Sequence, residues 1–242
     1  MAIISALIYQ LVQKLPRAKA RALIGTALII FVFRAVPLPG AGATWFMIDQ
    51  LHFDQQFLSV LSLIASCLTL IGMVLLRPLM ASRSIAYIVV LLTLASGILA
   101  LPNIGLYYGM QDWTARTTGG VVDAHFIAII ETTLESPLGQ VAMIPLLTWI
   151  ARNAPSDLKA TFFAVMASFT NMALTASSLL TKYMNQIFLV TREVKDRATG
   201  TVQVPADYSQ LGWLLIIVTL IGVLAPLVTV LLVQRSRLQT YD

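Results

Sequence analysis

Two acidic residues lie in a stretch that is otherwise almost free of charge. Glu131 and Glu135 are four positions apart, so an α-helix would place both carboxylates on the same face. Two carboxylates this close repel each other when both are ionised, so the pair is expected to bind and release a proton readily. This is the chemistry of a proton relay. An alternative places Glu131 high enough to reach water at the membrane surface, which would leave only Glu135 inside.

A lone arginine precedes a series of helix-breaking residues. Arg34 stands near the middle of an apolar run and is followed by Pro37, Pro39 and Gly40. Proline removes a backbone donor and clashes with the preceding turn, so a helix is predicted to kink or open there. Broken backbone at membrane depth is tolerated where it is buried in protein or lines a watery cavity. Arg34 is therefore predicted to face inward; the alternative is that it reaches out to a membrane surface.

A continuous polar face runs along a later apolar stretch. Its members recur every three or four residues and are Ser168, Asn171, Thr175, Ser178 and Lys182. An asparagine facing lipid would leave its amide without partners, so this face is predicted to meet protein or water. Packing alone would account for the serines and the threonine, whereas Asn171 and Lys182 favour a cavity lining. Lys182 is expected at the same depth as Glu131, so an ion pair between them is predicted.

Long apolar segments position these residues. Of 242 residues, 58% are hydrophobic and only 11% are charged, against about 25% in ordinary soluble domains. Six runs near or above the roughly 20 residues that span a bilayer are predicted as helices, at residues 22–48, 57–76, 84–108, 124–150, 159–188 and 209–233. The sequence predicts an all-α membrane protein with a six-helix domain over residues 22–233. Residues 1–21 are predicted to be an amphipathic or truncated segment with a basic connector, and residues 234–242 a cytoplasmic tail.

Two further segments have simpler interpretations. The third predicted span contains no ionisable residue, so it is predicted to be scaffold that ends near Pro102 and Asn103. The polar connector from Thr191 to Ser209 is predicted to be a solvated linker. Neither segment is expected to contribute to a site.

The basic residues favour one orientation. One set of span ends is flanked by ten of them, Lys14, Arg17, Lys19, Arg21, Arg77, Arg83, Arg152, Lys159, Arg235 and Arg237. The other set is flanked by five, Arg116, Lys182, Arg192, Lys195 and Arg197. Basic residues concentrate in cytoplasmic loops, so both termini are predicted in the cytoplasm, with the protein in a bacterial inner membrane. Because the basic residues form short blocks between apolar runs, nucleic-acid binding is not expected despite the net charge of +5.

Little in the sequence favours an enzyme. The single cysteine, Cys67, lies in an apolar run, so neither a disulfide within the chain nor a metal cluster is expected. His52 and His125 fall at predicted helix ends, and no serine or cysteine has a base at a recognisable spacing. We expect no catalytic residues, cofactor or metal site.

Two runs resemble the folate–biopterin transporter family of the major facilitator superfamily. They are PLPGAGATWFMIDQLHFDQQFLSVLSLIAS, preceded by FRA, and MIPLLTWIARNAPSDLKATFFAVMASFTN. The residues that carry the resemblance are Arg34, Pro37, Pro39, Gly40, Met143, Pro145, Leu146, Leu147, Pro155, Ala160, Thr161, Phe163 and Ala164. The resemblance extends over about residues 22–233. It departs from the family pattern at Lys159, where an acidic residue is common, and in the connector that keeps only Arg77 and Arg83.

The resemblance implies the C-terminal six-helix half of a secondary active transporter. Its implied solute is small and anionic, such as a folate or a pterin, and its implied driving force is a proton gradient. Arg34 would hold a substrate carboxylate, Glu131 or Glu135 would accept the N–H donors of a pterin edge, and Asn171 would complete the substrate site.

Other interpretations stay open. The chain is either a truncated reading frame or a half that assembles with a second six-helix half. The solute is alternatively a peptidoglycan fragment or a siderophore. A third possibility is a membrane assembly partner that transports nothing.

Overall fold

The computed structural model describes residue 13 and residues 15–138, 159–196 and 199–238. The helices are α1 (Arg17–Arg34), α2 (Ala41–Asp49), α3 (Gln55–Leu75), α4 (Arg77–Ser82), α5 (Ile85–Leu99), α6 (Leu101–Tyr107), α7 (Met110–Thr117), α8 (Ala124–Glu135), α9 (Lys159–Ile187) and α10 (Leu211–Arg235). A 3₁₀ turn, Ser136–Leu138, follows α8, and two short strands, β1 (Val194–Lys195) and β2 (Val202–Val204), lie between α9 and α10. The remainder of the predicted fourth span, residues 139–150, lies outside the described residues.

Four helical segments are long and apolar enough to cross a membrane. In the described part of the chain they are Gln55–Leu75, Ile85–Tyr107, Lys159–Ile187 and Leu211–Arg235. They coincide with the second, third, fifth and sixth predicted spans. The third, Ile85–Tyr107, matches the predicted bounds of 84–108, although it continues beyond Asn103, near which the scaffold helix was predicted to end. The protein is therefore a predominantly helical integral membrane protein, and the first and fourth spans stay predictions.

The first predicted span is broken where its prolines and glycine lie. α1 ends at Arg34, the chain runs without helix to Gly40, and α2 begins at Ala41. Gly40 has a φ of 77°, a conformation that a side chain would strain. The predicted opening of this helix is confirmed.

Side chains of α9 satisfy the backbone of this break. The Ser177 hydroxyl donates to the Val36 carbonyl at 2.6 Å, the Leu38 amide donates to the Thr181 hydroxyl at 2.9 Å, and the Asn185 amide donates to the Pro39 carbonyl at 3.2 Å. The three α9 residues are four positions apart and so form one face of that helix. Backbone that has lost its helical hydrogen bonds is thus repaired by protein rather than left to lipid.

Helix α1 lies among three neighbours. It packs against α5, α9 and α10, and its fully buried Ile29 and Ile30 belong to the same apolar cluster as Val89 and Phe162. Helix α8 packs against α3, α5 and α6, and so shares α5 as a neighbour with α1. This arrangement places the break in α1–α2 near the inward face of α8.

The connector between α9 and α10 contains two short paired strands. Strands β1 and β2 pair antiparallel, and a separate bridge joins Thr191 to Asp207. We call the end of the bundle that carries this hairpin the hairpin end. The described part of this connector is mostly exposed, as predicted for a solvated linker, and side-chain contacts described below also fix it to α2.

Large apolar side chains point away from the bundle on the long helices. Leu70 and Val74 of α3 and Leu224 and Leu232 of α10 are each more than half exposed. In water such a surface would be unstable, whereas lipid chains cover it at no cost. The exposed faces fit the assignment to a bilayer.

Candidate functional site

A cavity of about 280 Å³ lies beside the break between α1 and α2. The break contributes Phe33 and residues 36–39, α5 and α6 contribute Thr93 and Asn103, and α10 contributes Leu215 and Val218 among others. Its remaining wall is α8, which contributes both Glu131 and Glu135. Most of the lining is apolar, with the polar groups concentrated on α5, α6 and α8. Ligand sites commonly have this composition.

Glu131 is held in this cavity by a neighbouring helix. Its side chain is buried, with 7% of the residue exposed, and its carboxylate accepts a hydrogen bond from the side-chain amide of Asn103 on α6. An amide is one of the few neutral groups that can both solvate a carboxylate and stay compact in an apolar setting. Glu131 is therefore buried inside the helix bundle.

Glu135 lies one helical turn from Glu131 and lines the same cavity. It is the last residue of α8 and is more exposed than Glu131. The two carboxylates thus share one space, as the four-residue spacing predicted. A pair of acids in one largely apolar cavity can share a single proton.

Arg34 ends α1 at the start of the break. It is half-buried, and its Nε is buried with no hydrogen-bond partner in the described part of the chain. Arg34 is not among the residues that line the cavity. The structure therefore places Arg34 beside the break, with a donor still free, but does not bring it together with the glutamates.

The polar face predicted on α9 is exposed. The hydroxyls of Ser168, Thr175 and Ser178 donate to carbonyls of their own helix, and Asn171 and Lys182 are exposed beside them. The opposite face of α9 is the one that packs on α1. The described residues leave the polar face uncovered.

The predicted ion pair between Lys182 and Glu131 is absent. Both residues are described, Lys182 is exposed on α9, and the carboxylate of Glu131 bonds to Asn103 instead. The physical reason is that the α9 face bearing Lys182 points away from the cavity. Among the predicted site residues, only Glu131 and Glu135 line a common space.

Asn103 is the cavity residue that the sequence analysis missed. The third span was assigned to scaffold because it lacks an ionisable group, yet it supplies both Asn103 and Thr93 to the cavity. A signal was present, since an amide within an apolar span needs a polar partner for the same reason that Asn171 does.

A second polar cluster ties α2 to the hairpin end. Arg192 donates to both carboxylate oxygens of Asp49, at 3.0 and 2.8 Å, and the Tyr208 hydroxyl donates to Asp49 at 2.5 Å. The hydrogen bonds from Arg192 lower the pKa of Asp49. Burial, together with the bond to Asp49, raises the pKa of Tyr208 to about 12. The cluster fixes the outer segment of the broken helix to the connector between α9 and α10.

The metal-ligating side chains are scattered. Within the described ranges no group of three or more histidine, cysteine, aspartate or glutamate residues is arranged to hold a metal ion. Glu131 bonds to Asn103, and no third acid is among the described residues that line the cavity.

Comparison with known proteins decides the family. The sequence model of the BT1 family matches residues 7–241, which is nearly the whole chain. The chain belongs to the BT1 family. A BT1-like relative from Synechocystis sp., named "Folate-biopterin transporter", is 29% identical over 161 residues. That alignment covers 65% of this chain and 31% of the relative, so the BT1 chain spans about a third of that relative's length. No solved structure matches it.

The BT1 assignment confirms the resemblance that the proline-rich and Met-Pro-Leu-Leu runs predicted. The first of these runs contains the break that borders the cavity. The second covers residues 143–171, of which 143–158 lie outside the described residues and the rest forms the first half of α9.

Proposed function

We propose that this BT1 chain is half of a secondary active transporter that couples a proton gradient to the movement of a small anionic solute, a folate or a pterin. One observation supports this above the others. A buried glutamate, held by an amide and followed one turn later by a second glutamate, lines a cavity at a broken helix. An ionisable group inside a membrane bundle is costly, and proton relays are a usual reason for keeping one.

The solute class rests on two groups at the break. We assign Arg34, which is half-buried beside the break, to a carboxylate of the solute, and the carboxylates of Glu131 and Glu135, which line the cavity, to N–H donors of its ring. Protonation of a glutamate would remove an acceptor and loosen the hold on the ring. Uptake of a proton and release of the solute would then be linked. The name of the Synechocystis relative supports the same class of solute.

A second half would complete the transporter. The chain matches a third of its relative, and the exposed polar face of α9 has no cover in the described residues. Three exposed serines of α3, Ser59, Ser62 and Ser66, bond only to carbonyls of their own helix. Polar faces of this kind do not suit lipid, so we assign them to a water-filled path between two halves, with Asn171 and Lys182 lining it. We also propose that the chain lies in a bacterial inner membrane with both termini in the cytoplasm, on the distribution of its basic residues.

Solute uptake tests this function. Membrane vesicles from cells that express the chain are compared with vesicles from cells that do not, using radiolabelled folate and biopterin. Uptake that depends on the chain supports the proposal. Uptake of a peptidoglycan fragment or a siderophore instead would change the solute. Purification of the chain with an intact partner, no uptake by the complex and no stabilisation by any of these solutes would favour a non-transporting assembly partner.

A further inference from the structure

The hydrogen bond to Glu131 uses only one of the hydrogen-bonding groups of the Asn103 side chain. Asn103 lies in the first turn of α6, lines the cavity, and uses one N–H of its side chain to bond to Glu131. A side-chain amide has two N–H donors and a carbonyl oxygen that accepts. Within the described residues, its second N–H and its carbonyl have no partner. A donor and an acceptor therefore remain at the cavity wall.

Glu131 leaves complementary groups beside them. An ionised carboxylate accepts about four hydrogen bonds, and the described residues supply one, from Asn103. Together the two side chains offer adjacent acceptors on Glu131 followed by a donor on Asn103. This order of groups matches a flat ring whose edge has two neighbouring N–H donors followed by a carbonyl.

The rest of the cavity suits the body of such a ring. Phe33, Pro37, Leu215 and Val218 line it with apolar surface. Its volume, about 280 Å³, lies at the small end of ligand pockets, which run from about 300 to 1,000 Å³. A single fused ring fits that space better than a long conjugated molecule does. Thr93, which is 1% exposed and whose hydroxyl has no partner in the described residues, adds one more polar group to the wall.

We propose that Asn103 and Glu131 form a recognition pair that binds the amino-oxo edge of a heterocyclic solute, with Asn103 determining specificity through its donor to the ring carbonyl. This inference rests on the proposed function for the class of solute. It adds Asn103 to the proposed binding site and specifies the hydrogen bonds to the solute. Glu131 accepts from the two ring N–H groups, and Asn103 donates to the ring oxygen. A ring with an amino group in place of that oxygen would meet the amide donor with a donor of its own.

The test compares two probes in the same sample. The affinity of the purified full chain is measured by calorimetry for pterin, whose edge presents two donors and a carbonyl, and for 2,4-diaminopteridine, in which an amino group replaces the carbonyl and the ring nitrogen beside it no longer carries a hydrogen. Because this second change alters the contact with Glu131, the contribution of Asn103 is taken from the effect of its variants on the preference. The unmodified chain is expected to prefer pterin by about tenfold or more, the equivalent of one good hydrogen bond. The ratio of two affinities does not depend on the fraction of chain that is folded.

Two variants probe Asn103, and one serves as control. Asn103→Asp keeps the shape but replaces the donor with an acceptor, and Asn103→Ala removes both groups; each is expected to lower the preference for pterin by about tenfold. Gln186→Ala deletes an exposed amide on α9 that is not among the residues lining the cavity, and is expected to keep the preference of the unmodified chain.

Three results would overturn the inference. If both Asn103 variants keep the original preference while pterin still binds, the recognition pair is refuted and the proposed function stands. If the unmodified chain binds both rings equally, Asn103 does not read the edge. If the unmodified chain binds neither ring, the inference falls together with the assignment of a pterin-like solute, and the uptake experiment shows whether transport itself survives.

Discussion

The hydroxyl of Ser177 on α9 donates a 2.6 Å hydrogen bond to the carbonyl of Val36, at the point where helix α1 has just ended. Thr181 and Asn185 bond to the break in the same way one and two turns later. The break after α1 is therefore joined to α9 by three hydrogen bonds. Its stability depends on side chains about 140 residues away in the chain.

Ser177→Ala is expected to destabilise the protein by about 1–3 kcal/mol, because it leaves a carbonyl without a partner in a buried setting. Ser178→Ala is the matched control, since Ser178 is exposed and bonds only to its own helix. Thermal unfolding in detergent measures both. Equal unfolding temperatures for the two variants would show that the bond to Val36 contributes nothing.

Gly40→Ala is expected to destabilise the break for two reasons. Gly40 has a positive φ, and an added Cβ would lie 2.9 Å from Nδ2 of Asn185, which bonds to Pro39. Gly222→Ala on α10 is the control, because a Cβ there would meet nothing within 4 Å and alanine favours helix by roughly 1 kcal/mol. The first variant should unfold at a lower temperature and the second at the same or a higher one. The reverse order would contradict the geometry at the break.

Two residues of the cluster at the hairpin end, Asp49 and Tyr208, make the stability of the fold depend on pH. The lowered pKa of Asp49 means that its ionised form stabilises the fold above about pH 4 and that this contribution is lost as the pH falls through the folded-state pKa. The pKa of Tyr208, raised to about 12, means that its neutral form stabilises the fold up to about pH 10, with the loss occurring as the pH rises toward 12. The fall in unfolding temperature at acid pH should be smaller in Asp49→Asn, although Asp207, whose pKa is also lowered, still contributes to it, and the fall at alkaline pH should be smaller in Tyr208→Phe. Glu193→Gln changes an exposed residue next to β1 and should leave the fall in unfolding temperature at both acid and alkaline pH unchanged.

Arg34→Gln is expected to weaken the binding of folate, whose tail carries carboxylates, by about tenfold or more, and to leave the binding of unsubstituted pterin nearly unchanged. The reason is that we assign the guanidinium of Arg34, which lies beside the break, to a carboxylate of the folate tail. Arg235→Gln, at the exposed end of α10, is the matched control. Calorimetry with the two ligands separates the cases, and an equal loss for both would assign Arg34 to structure rather than to carboxylate binding.

The sequence predicted those features that depend on local chemistry. The opening of the first helix followed from Pro37, Pro39 and Gly40, and the shared space of Glu131 and Glu135 followed from their spacing. The polar stripe of Ser168, Asn171 and Lys182 was recognised as a face, but its direction depends on which side of α9 packs against α1. Periodicity alone cannot decide that, because Ser177, Thr181 and Asn185 form a second polar face on the same helix.

Contacts between distant helices could not be predicted from the sequence. Asn103 pairs with Glu131 only because α6 packs against α8, and Arg192 reaches Asp49 only because the hairpin folds back on α2. One amino-acid sequence does not indicate which helices pack together. It indicates only that each buried polar group needs a partner. The same need predicts a polar partner for Asn103 as it does for Asn171.

Proton-coupled uptake tests the central claim most directly. Vesicles containing the unmodified chain, Glu131→Gln, Glu135→Gln or the control Glu193→Gln are loaded with buffer, and uptake of radiolabelled folate is measured with and without an inward proton gradient. Glutamine keeps the size of glutamate and an acceptor for Asn103 but cannot release a proton. We expect the gradient to stimulate uptake by the unmodified chain and the control, and to have no effect on at least one of the two cavity variants. Stimulation that is equal in all four would contradict the account.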